Sequence, residues 1–286
     1  MTTSADALRA LLSRGDLLTM PGCHDAMSAR LVEQAGFELG FMSGFAVSAA
    51  RLAMPDTGLI SYGELVDQGR RICEAVSIPL IGDGDTGFGS ALNVKRTVQG
   101  YARAGFAGVM LEDQVAPKRC GHTEGKSVVG RDEALTRIRA AVDARDAGAD
   151  ILIMARTDAR AVLGLDEAIA RCRAFRALGA DITFLEAPVD RDEMRRYCEA
   201  VDGPKMANLI EGGKTPLLPV DELAALGYQI AVFPLTLLNV CIGAMRDALE
   251  SLRGGRRPPA AMDFEALKAA VGFPDYFADE ARYKQG

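Results

Sequence analysis

Residues 108–130 read GVMLEDQVAPKRCGHTEGKSVVG, and this stretch begins one unit of the pattern that decides the fold. Its first residues are a short apolar run that predicts a buried strand ending at Glu112 and Asp113. A polar, glycine-containing loop follows, and residues 131–147 then form an Ala- and Arg-rich segment of helical character. A strand, a loop and a helix in this order are the parts of a parallel β/α unit.

The same order recurs along the chain until eight units are complete. The predicted strands are residues 17–20, 37–42, 78–81, 108–111, 151–155, 182–185, 205–207 and 229–233. The predicted helices are residues 26–35, 62–75, 91–104, 131–147, 165–178, 191–200, 220–226 and 238–252. Eight alternating units favour an α/β fold with a parallel sheet closed into a (β/α)8 barrel of the TIM type, and an open doubly wound sheet is the weaker alternative.

The chain is predicted to consist of a barrel and a tail. Residues 1–253 are expected to form the catalytic barrel together with an amphipathic N-terminal helix. After residue 253 the composition changes to a Gly-, Arg- and Pro-containing linker and then to a tail rich in Phe and Tyr. Because an apolar tail needs a surface to pack against, residues 254–286 are expected to dock on another surface, with packing on their own barrel as the alternative.

Composition limits the class of protein. A chain of 286 residues with 49% hydrophobic content can bury a large core. Its net charge of −6 argues against a nucleic-acid partner. The six cysteines lack metal-binding spacing, which indicates reduced thiols in a cytoplasmic protein. The charged N-terminal segment is unlike a signal peptide, and no apolar run reaches transmembrane length, so no membrane partner is predicted.

The residues that follow the predicted strands are mostly polar, and a barrel of this kind places its active site there. They are Ser43, Gly44, Asp83, Asp85, Glu112, Arg156, Asp158, Glu186, Asn208 and Pro234. Solvation alone would give an inert barrel some polar strand ends. The repeated carboxylates, together with an arginine and an asparagine, favour a functional site.

Asp83 and Asp85 lie in the glycine-rich stretch 82–89, next to the strand that ends at Glu112. These carboxylates are hard oxygen ligands, and no His or Cys accompanies them. The set favours Mg²⁺, with Mn²⁺ possible, over Zn²⁺. An Asp-Gly turn without a metal is the alternative.

Lys118, Arg119, Cys120 and His122 lie together in the loop that follows Glu112. Positive charge near a thiol lowers its pKa. Cys120 is therefore predicted to exchange a proton near neutral pH. A solvated basic loop with an incidental cysteine is the alternative.

Five motifs in these stretches resemble the isocitrate lyase / phosphoenolpyruvate mutase superfamily, and the resemblance covers nearly the whole chain. The motifs are DGDTGFG at 83–89, LEDQ at 111–114, PKRCGH at 117–122, ARTD at 155–158 and KMAN at 205–208. Within the superfamily the sequence most resembles the petal death protein and the 2,3-dimethylmalate and methylisocitrate lyases. The PKRCGH loop is the specific signal.

The resemblance implies a Mg²⁺-dependent lyase that breaks a C–C bond in a di- or tricarboxylate, a 2-alkylmalate-type 2-hydroxy acid, to give a 2-oxoacid and a second carboxylate. The implied catalytic residues are Cys120, Arg156, Lys118 and His122. The implied substrate-binding residues are Ser43, Gly44, Arg119, Gly121, Glu186, Asn208 and Pro234. The implied metal-site residues are Asp83, Asp85, Glu112 and Asp56. A homotetramer in which the helical tail exchanges between subunits is also implied.

The sequence departs from the superfamily pattern at three positions. Phe41 stands where methylisocitrate lyases carry a Tyr, which leaves the base for the C2 hydroxyl unassigned. Phe45 narrows the expected pocket, and Thr236 replaces a Ser that is typical of oxaloacetate hydrolases. An oxaloacetate decarboxylase or hydrolase, a phosphonopyruvate-processing enzyme and a barrel that only binds metabolites are the alternatives.

Overall fold

Within residues 2–121 and 125–284, which the computed structural model describes, eight parallel strands close into a barrel. The strands are β1 Leu18–Cys23, β2 Gly40–Met42, β3 Leu80–Asp83, β4 Gly108–Glu112, β5 Leu152–Thr157, β6 Ile182–Leu185, β7 Lys205–Asn208 and β8 Ile230–Phe233. β1 pairs with β8 in parallel, with Leu18 opposite Ile230, so the sheet closes on itself. The predicted barrel is confirmed, and the open doubly wound sheet is wrong.

Helices follow the strands in the expected order, with additional short helices at two strand ends. The helices are α1 Ser4–Ser13, α2 Ala26–Gln34, α3 Gly44–Leu52, α4 Tyr62–Glu74, α5 Ala91–Ala104, α6 Arg131–Asp146, α7 Ala159–Leu163, α8 Leu165–Ala177, α9 Arg191–Ala200, α10 Val220–Leu226, α11 Thr236–Arg253, α12 Phe264–Val271 and α13 Phe273–Tyr283. The sequence does not predict α3 and α7. Helix α3 begins because the Ser43 hydroxyl accepts a hydrogen bond from the backbone N–H of Ala46 at 3.3 Å, which caps its first turn.

Apolar side chains fill the barrel interior. They include Leu18, Met20, Phe41, Ile81, Met110, Leu152, Met154, Ile182, Phe184, Met206, Ile230 and Val232. Leu8 of α1 belongs to the same cluster and is fully buried. One of its methyl groups lies close to Gly108, the first residue of β4. Helix α1 therefore closes the N-terminal end of the barrel, and the C-terminal end is left for a site.

The chain divides into two compact units, Met1–Leu237 and Leu238–Gly286. This division falls inside α11, and the boundary between barrel and tail at residue 253 stays a prediction. In the second unit the ring of Phe277 lies 5.6 Å from that of Phe273 and 5.8 Å from that of Tyr276. The predicted helical tail is confirmed, and its exchange between subunits of a homotetramer stays a prediction.

Among the helices of the described residues, none is both long and apolar enough to cross a lipid bilayer. The cytoplasmic location stays a prediction.

Candidate active site

A cavity opens at the C-terminal end of the barrel, and most of the predicted site residues line it. It encloses about 490 Å³, including its opening to solvent. The predicted residues in its lining are Ser43, Asp56, Asp83, Lys118, Arg119, Cys120, Gly121, Arg156, Glu186, Asn208 and Pro234. Gly44, Asp85 and Glu112 lie behind the lining, in contact with Asp83, Lys118 and Arg156 respectively. His122 lies outside the described residues.

Lys118 is held by carboxylates at the strand ends. Its Nζ lies 2.7 Å from Asp56 Oδ2 and 2.7 Å from Asp85 Oδ1, and all three side chains are buried. Burial lowers the pKa of Lys118, but the carboxylates of Asp85, Asp83 and Asp56 outweigh it and hold the pKa well above its usual value. Lys118 is therefore a fixed positive charge within the acid cluster.

Two carboxyl groups of this cluster, those of Asp85 and Glu112, are difficult to ionise where they are buried. Burial raises the pKa of Asp85 to about 7 against the opposing effect of Lys118, and Asp83 and Asp56 raise it further. Burial also raises the pKa of Glu112 well above its usual range. Among the described residues, Glu112 Oε1 and Asp56 Oδ1 are buried without a hydrogen-bond partner. Buried, under-satisfied carboxylates of this kind suit a bound divalent cation.

The acids do not form a closed metal cage. Within residues 2–121 and 125–284, no group of three His, Cys, Asp or Glu side chains is arranged to hold a metal ion. Mg²⁺ usually keeps several waters and takes only one or two carboxylates from the protein, so a partial set of oxygen donors is sufficient. The donor chemistry therefore fits Mg²⁺, and equally Mn²⁺.

Backbone conformation presents the acids to the cavity. Asp85 has a φ of 49°, a left-handed conformation that is unusual for a residue with a side chain. Its backbone N–H donates to Asp83 Oδ1 at 2.9 Å, which ties the two acids together. At Gly44 a Cβ atom would lie 2.6 Å from Asp83 Oδ2, so only glycine lets the start of α3 approach this carboxylate.

Arg156, at the end of β5, faces three carboxylates. Its Nε lies 2.8 Å from Asp158 Oδ2 and 3.4 Å from Glu112 Oε2, and its Nη2 lies 3.1 Å from Glu186 Oε2. Its Cζ lies 5.2 Å from the centre of the Phe184 ring. Burial lowers the pKa of Arg156, but Asp158, Glu186 and Glu112 outweigh this and keep the pKa well above its usual value. The guanidinium is a rigid cation in the cavity wall.

The loop with Cys120 is anchored over the same wall. The backbone N–H of Arg119 donates to Gln114 Oε1 at 2.9 Å, and Gln114 Nε2 donates to the Arg119 carbonyl at 2.9 Å. At Gly121 a Cβ atom would lie 2.4 Å from Arg156 Nη2, so the loop backbone packs directly on this guanidinium. Cys120 is half-buried and shares one cavity with Arg156.

A buried polar network behind the cavity was not predicted. Asp113 Oδ2 accepts hydrogen bonds from the Thr157 hydroxyl at 2.6 Å and from Arg171 Nη1 at 2.9 Å. The backbone N–H of Asp158 donates to Asp113 Oδ1 at 2.8 Å. Arg171, in α8, is 1% exposed. The sequence carries no signal for this network, because it does not show whether an arginine in a helix is buried or exposed to solvent.

The rest of the cavity lining is apolar. It consists of Phe41, Phe45, Met110, Phe184, Met206, Ile210, Val232 and Leu235. Ile210 and Leu235, which follow the ends of β7 and β8, were not predicted as site residues. The cavity therefore offers both charged and hydrogen-bonding groups and an apolar surface.

A cysteine, an arginine and buried carboxylates at the C-terminal mouth of a (β/α)8 barrel are typical of a barrel enzyme. Comparisons with known proteins identify the family. Residues 8–253 match the family described as phosphoenolpyruvate phosphomutase, and the chain belongs to that family. The chain is 45% identical over 263 residues to the 2,3-dimethylmalate lyase of Eubacterium barkeri. The aligned region covers 92% of this chain and 90% of the relative.

Solved structures of the same superfamily have the same fold. A complex of oxaloacetate acetylhydrolase with the inhibitor 3,3-difluorooxalacetate superposes with a TM-score of 0.95 and 36% identity, over 100% of this chain and 98% of that chain. A complex of phosphonopyruvate hydrolase with oxalate and Mg²⁺ superposes with a TM-score of 0.87 and 32% identity, over 99% and 100% of the two chains. The predicted superfamily is confirmed, and so is its carbon–carbon lyase class.

Proposed function

We propose that the protein is a Mg²⁺-dependent lyase that cleaves the C2–C3 bond of a 2-alkylmalate-type 2-hydroxy diacid. Candidate substrates are 2,3-dimethylmalate and methylisocitrate-like acids, and the products are pyruvate or another 2-oxoacid and a carboxylate. The observation that carries the proposal is the shared cavity of Cys120, Arg156 and Asp83. The similarity to the 2,3-dimethylmalate lyase supports it.

Cys120 is the proposed proton donor. When the C2 hydroxyl loses its proton and the C2–C3 bond breaks, C2 becomes the carbonyl carbon of the 2-oxoacid and the bonding electrons remain on C3. The second fragment is then a strongly basic carboxylate enolate, and it must receive a proton on carbon. The thiol of Cys120 supplies this proton as a general acid. Arg119 and the predicted residue His122 would hold the departing carboxylate.

Arg156 and the start of α3 would hold the 2-oxoacid half. The planar fork of a guanidinium matches two oxygen atoms at once, and its fixed charge stabilises the oxyanion that develops on C2. Ser43 and Gly44 lie at the N-terminus of α3, where backbone N–H groups favour a carboxylate. Asn208 Nδ2 lies 3.2 Å from Glu186 Oε2, and this pair, with Pro234, would form the opposite wall.

Asp83, Asp85 and Glu112 are the proposed metal-site residues, with Asp56 beside them. The unpartnered oxygens of Glu112 and Asp56 and the high pKa of Asp85 support this assignment. When bound, Mg²⁺ would supply positive charge for the oxygen atoms of the 2-oxoacid half.

The panel of possible substrates tests the proposed function. We expect pyruvate from at least one of 2-methylmalate, 2,3-dimethylmalate and methylisocitrate, or 2-oxobutanoate from 2-ethylmalate, each measured as its reduction by NADH and lactate dehydrogenase. EDTA is expected to lower the rate by at least about 100-fold, because the acids then lack their cation, and added Mg²⁺ or Mn²⁺ should restore it. An unchanged rate after EDTA and dialysis would show that the metal assignment is wrong.

Hydrolysis of oxaloacetate is the second candidate function, favoured by the close superposition on oxaloacetate acetylhydrolase. Oxaloacetate and phosphonopyruvate therefore belong in the same panel, with oxalate and pyruvate as their measured products. A higher kcat/KM with oxaloacetate than with every alkylmalate would replace the lyase proposal. Thr236 is the sequence feature that argues against this result.

The apolar surface of Leu235, Ile210 and Phe45 is proposed to receive the alkyl substituent. The substitution Leu235→Ala enlarges the space beside this surface. We therefore expect the ratio of kcat/KM for 2-ethylmalate to kcat/KM for 2-methylmalate to rise by about tenfold, the usual effect of one methylene group. Leu217→Ala is the matched control, because Leu217 is exposed and does not line the cavity. An equal preference in both variants would contradict the assignment.

A further inference from the structure

Lys126 follows the Cys120 loop, and its ammonium group is buried although it does not line the cavity. Its Nζ lies 2.8 Å from Asp158 Oδ1 and donates a second hydrogen bond to the carbonyl oxygen of Gly121. The side chains of Lys126 and Asp158 are 2% and 0% exposed. Lysine is rarely buried unless it is paired, so these contacts fix the ammonium group.

Asp158 links this ammonium group to the cavity wall. Its Oδ2 lies 2.8 Å from Nε of Arg156, and its Oδ1, the atom that contacts Lys126, also lies 3.1 Å from Nη2 of Arg156. The backbone N–H of Asp158 is held in turn by Asp113. A single buried carboxylate therefore binds both the arginine of the cavity and the lysine beyond the loop.

Gly121 is the point where the loop touches the wall. A Cβ atom at Gly121 would lie 2.4 Å from Arg156 Nη2 and 2.5 Å from Glu186 Oε2, so the backbone is in close contact with both. The carbonyl oxygen of this residue is the one that Lys126 binds. Because Cys120 is the preceding residue, a group that fixes Gly121 also restricts where the Cys120 backbone, and with it the thiol, can lie relative to Arg156.

We propose that Lys126 is a positioning residue of the lyase reaction, acting with Asp158 to hold the Cys120 thiol at the correct distance from a substrate bound at Arg156. Lysine suits this task because its ammonium has three donors that can serve a carboxylate and a carbonyl at once. The kinetic part of this inference rests on the proposed function.

The test is Lys126→Met in the full chain, which keeps most of the length of the side chain and removes its charge. We expect kcat to fall by about 100-fold, the usual cost of misplacing a reacting group by about 1 Å. KM should stay within about threefold, because groups that bind ground state and transition state equally are kept. Lys126→Arg, which retains charge and donors, should recover at least about a tenth of the wild-type kcat.

Lys205→Met is the matched control. Lys205 is also buried, and its Nζ donates to the carbonyls of Val201 and Gly203 at 2.7 Å each, at the N-terminal end of β7. Both methionine variants lose a buried ammonium, so both are expected to have a lower Tm. Only Lys126→Met should lose turnover, and an equal loss of kcat in Lys205→Met would overturn the proposal.

Carbamidomethylation of Cys120 by iodoacetamide, followed by peptide mass spectrometry, gives a readout that needs no substrate. The rate should rise several-fold in Lys126→Met and stay unchanged in Lys205→Met, because only the first lysine restrains the loop. If the wild type turned over no acid of the panel, the proposed function would fail while the labelling still judged Lys126. Labelling and kcat of Lys126→Met both within about twofold of the wild type would overturn the positioning role.

Discussion

Replacing Arg156→Lys is expected to lower kcat/KM by about 1,000-fold, because a lysine cannot present two donors in one plane to the oxygen atoms of the 2-oxoacid half. A loss of this size equals about 4 kcal/mol of transition-state stabilisation. The variant keeps the positive charge, so Asp158 and Glu186 still have a cationic neighbour and folding is expected to survive. Steady-state kinetics with the preferred alkylmalate is the measurement.

Arg145→Lys is the control for this change. Arg145 also pairs with a carboxylate, Asp181, at 2.8 Å, but it binds the carbonyl of Gly179 in the segment that leads into β6. This segment lies at the end of the barrel opposite the cavity. The kcat/KM of the Arg145→Lys variant should equal that of the wild type. If the Arg156→Lys variant also retained its activity, the assignment of Arg156 to the proposed site would be wrong.

Replacing Cys120→Ser is expected to lower kcat by about 1,000-fold, because a serine hydroxyl is a far weaker acid than a thiol and general acid catalysis contributes about 100- to 10,000-fold. KM should change little, since the groups proposed to bind the substrate are kept. Pyruvate formation at saturating substrate is the measurement.

Cys241→Ser serves as the control for the loss of a thiol, because Cys241 is exposed and lies in the second unit. This variant should have wild-type activity. If Cys120→Ser retained more than about a tenth of the wild-type kcat, the proton would have to come from another group and the proposed role of Cys120 would be wrong.

The barrel could be predicted from sequence because its determinants are local and repeated. Each unit of apolar run, polar strand end and amphipathic helix carries its own signal, and eight repeats favour closure. The acids could be found for the same reason, since Glu112 directly follows an apolar run and Asp83 follows another after a single glycine. Strand boundaries were less accurate: β1 runs to Cys23 beyond the predicted end at residue 20, because its Pro and Gly hide the strand character.

The connections between distant residues could not be predicted. The ion pair of Lys118 with Asp56 joins residues 62 positions apart, and the contact of Arg171 with Asp113 joins residues 58 apart. No periodic pattern reports on such pairs, because they depend on how loops and helices fold over the strand ends. The pairing of Lys126 could not be predicted for the same reason, since its partner Asp158 follows β5, the next strand, 32 positions further along the chain.

The two ends of the barrel have different roles, and Leu8 lies at the end that stabilises the fold. The first helix seals the floor with a fully buried leucine, and the reactive groups gather at the opposite rim. Substitutions at the N-terminal end of the barrel should therefore change the stability of the fold without changing which substrate acid is cleaved. Removing the Leu8 side chain would let water reach the methionines inside the barrel while every group at the C-terminal end stayed unchanged.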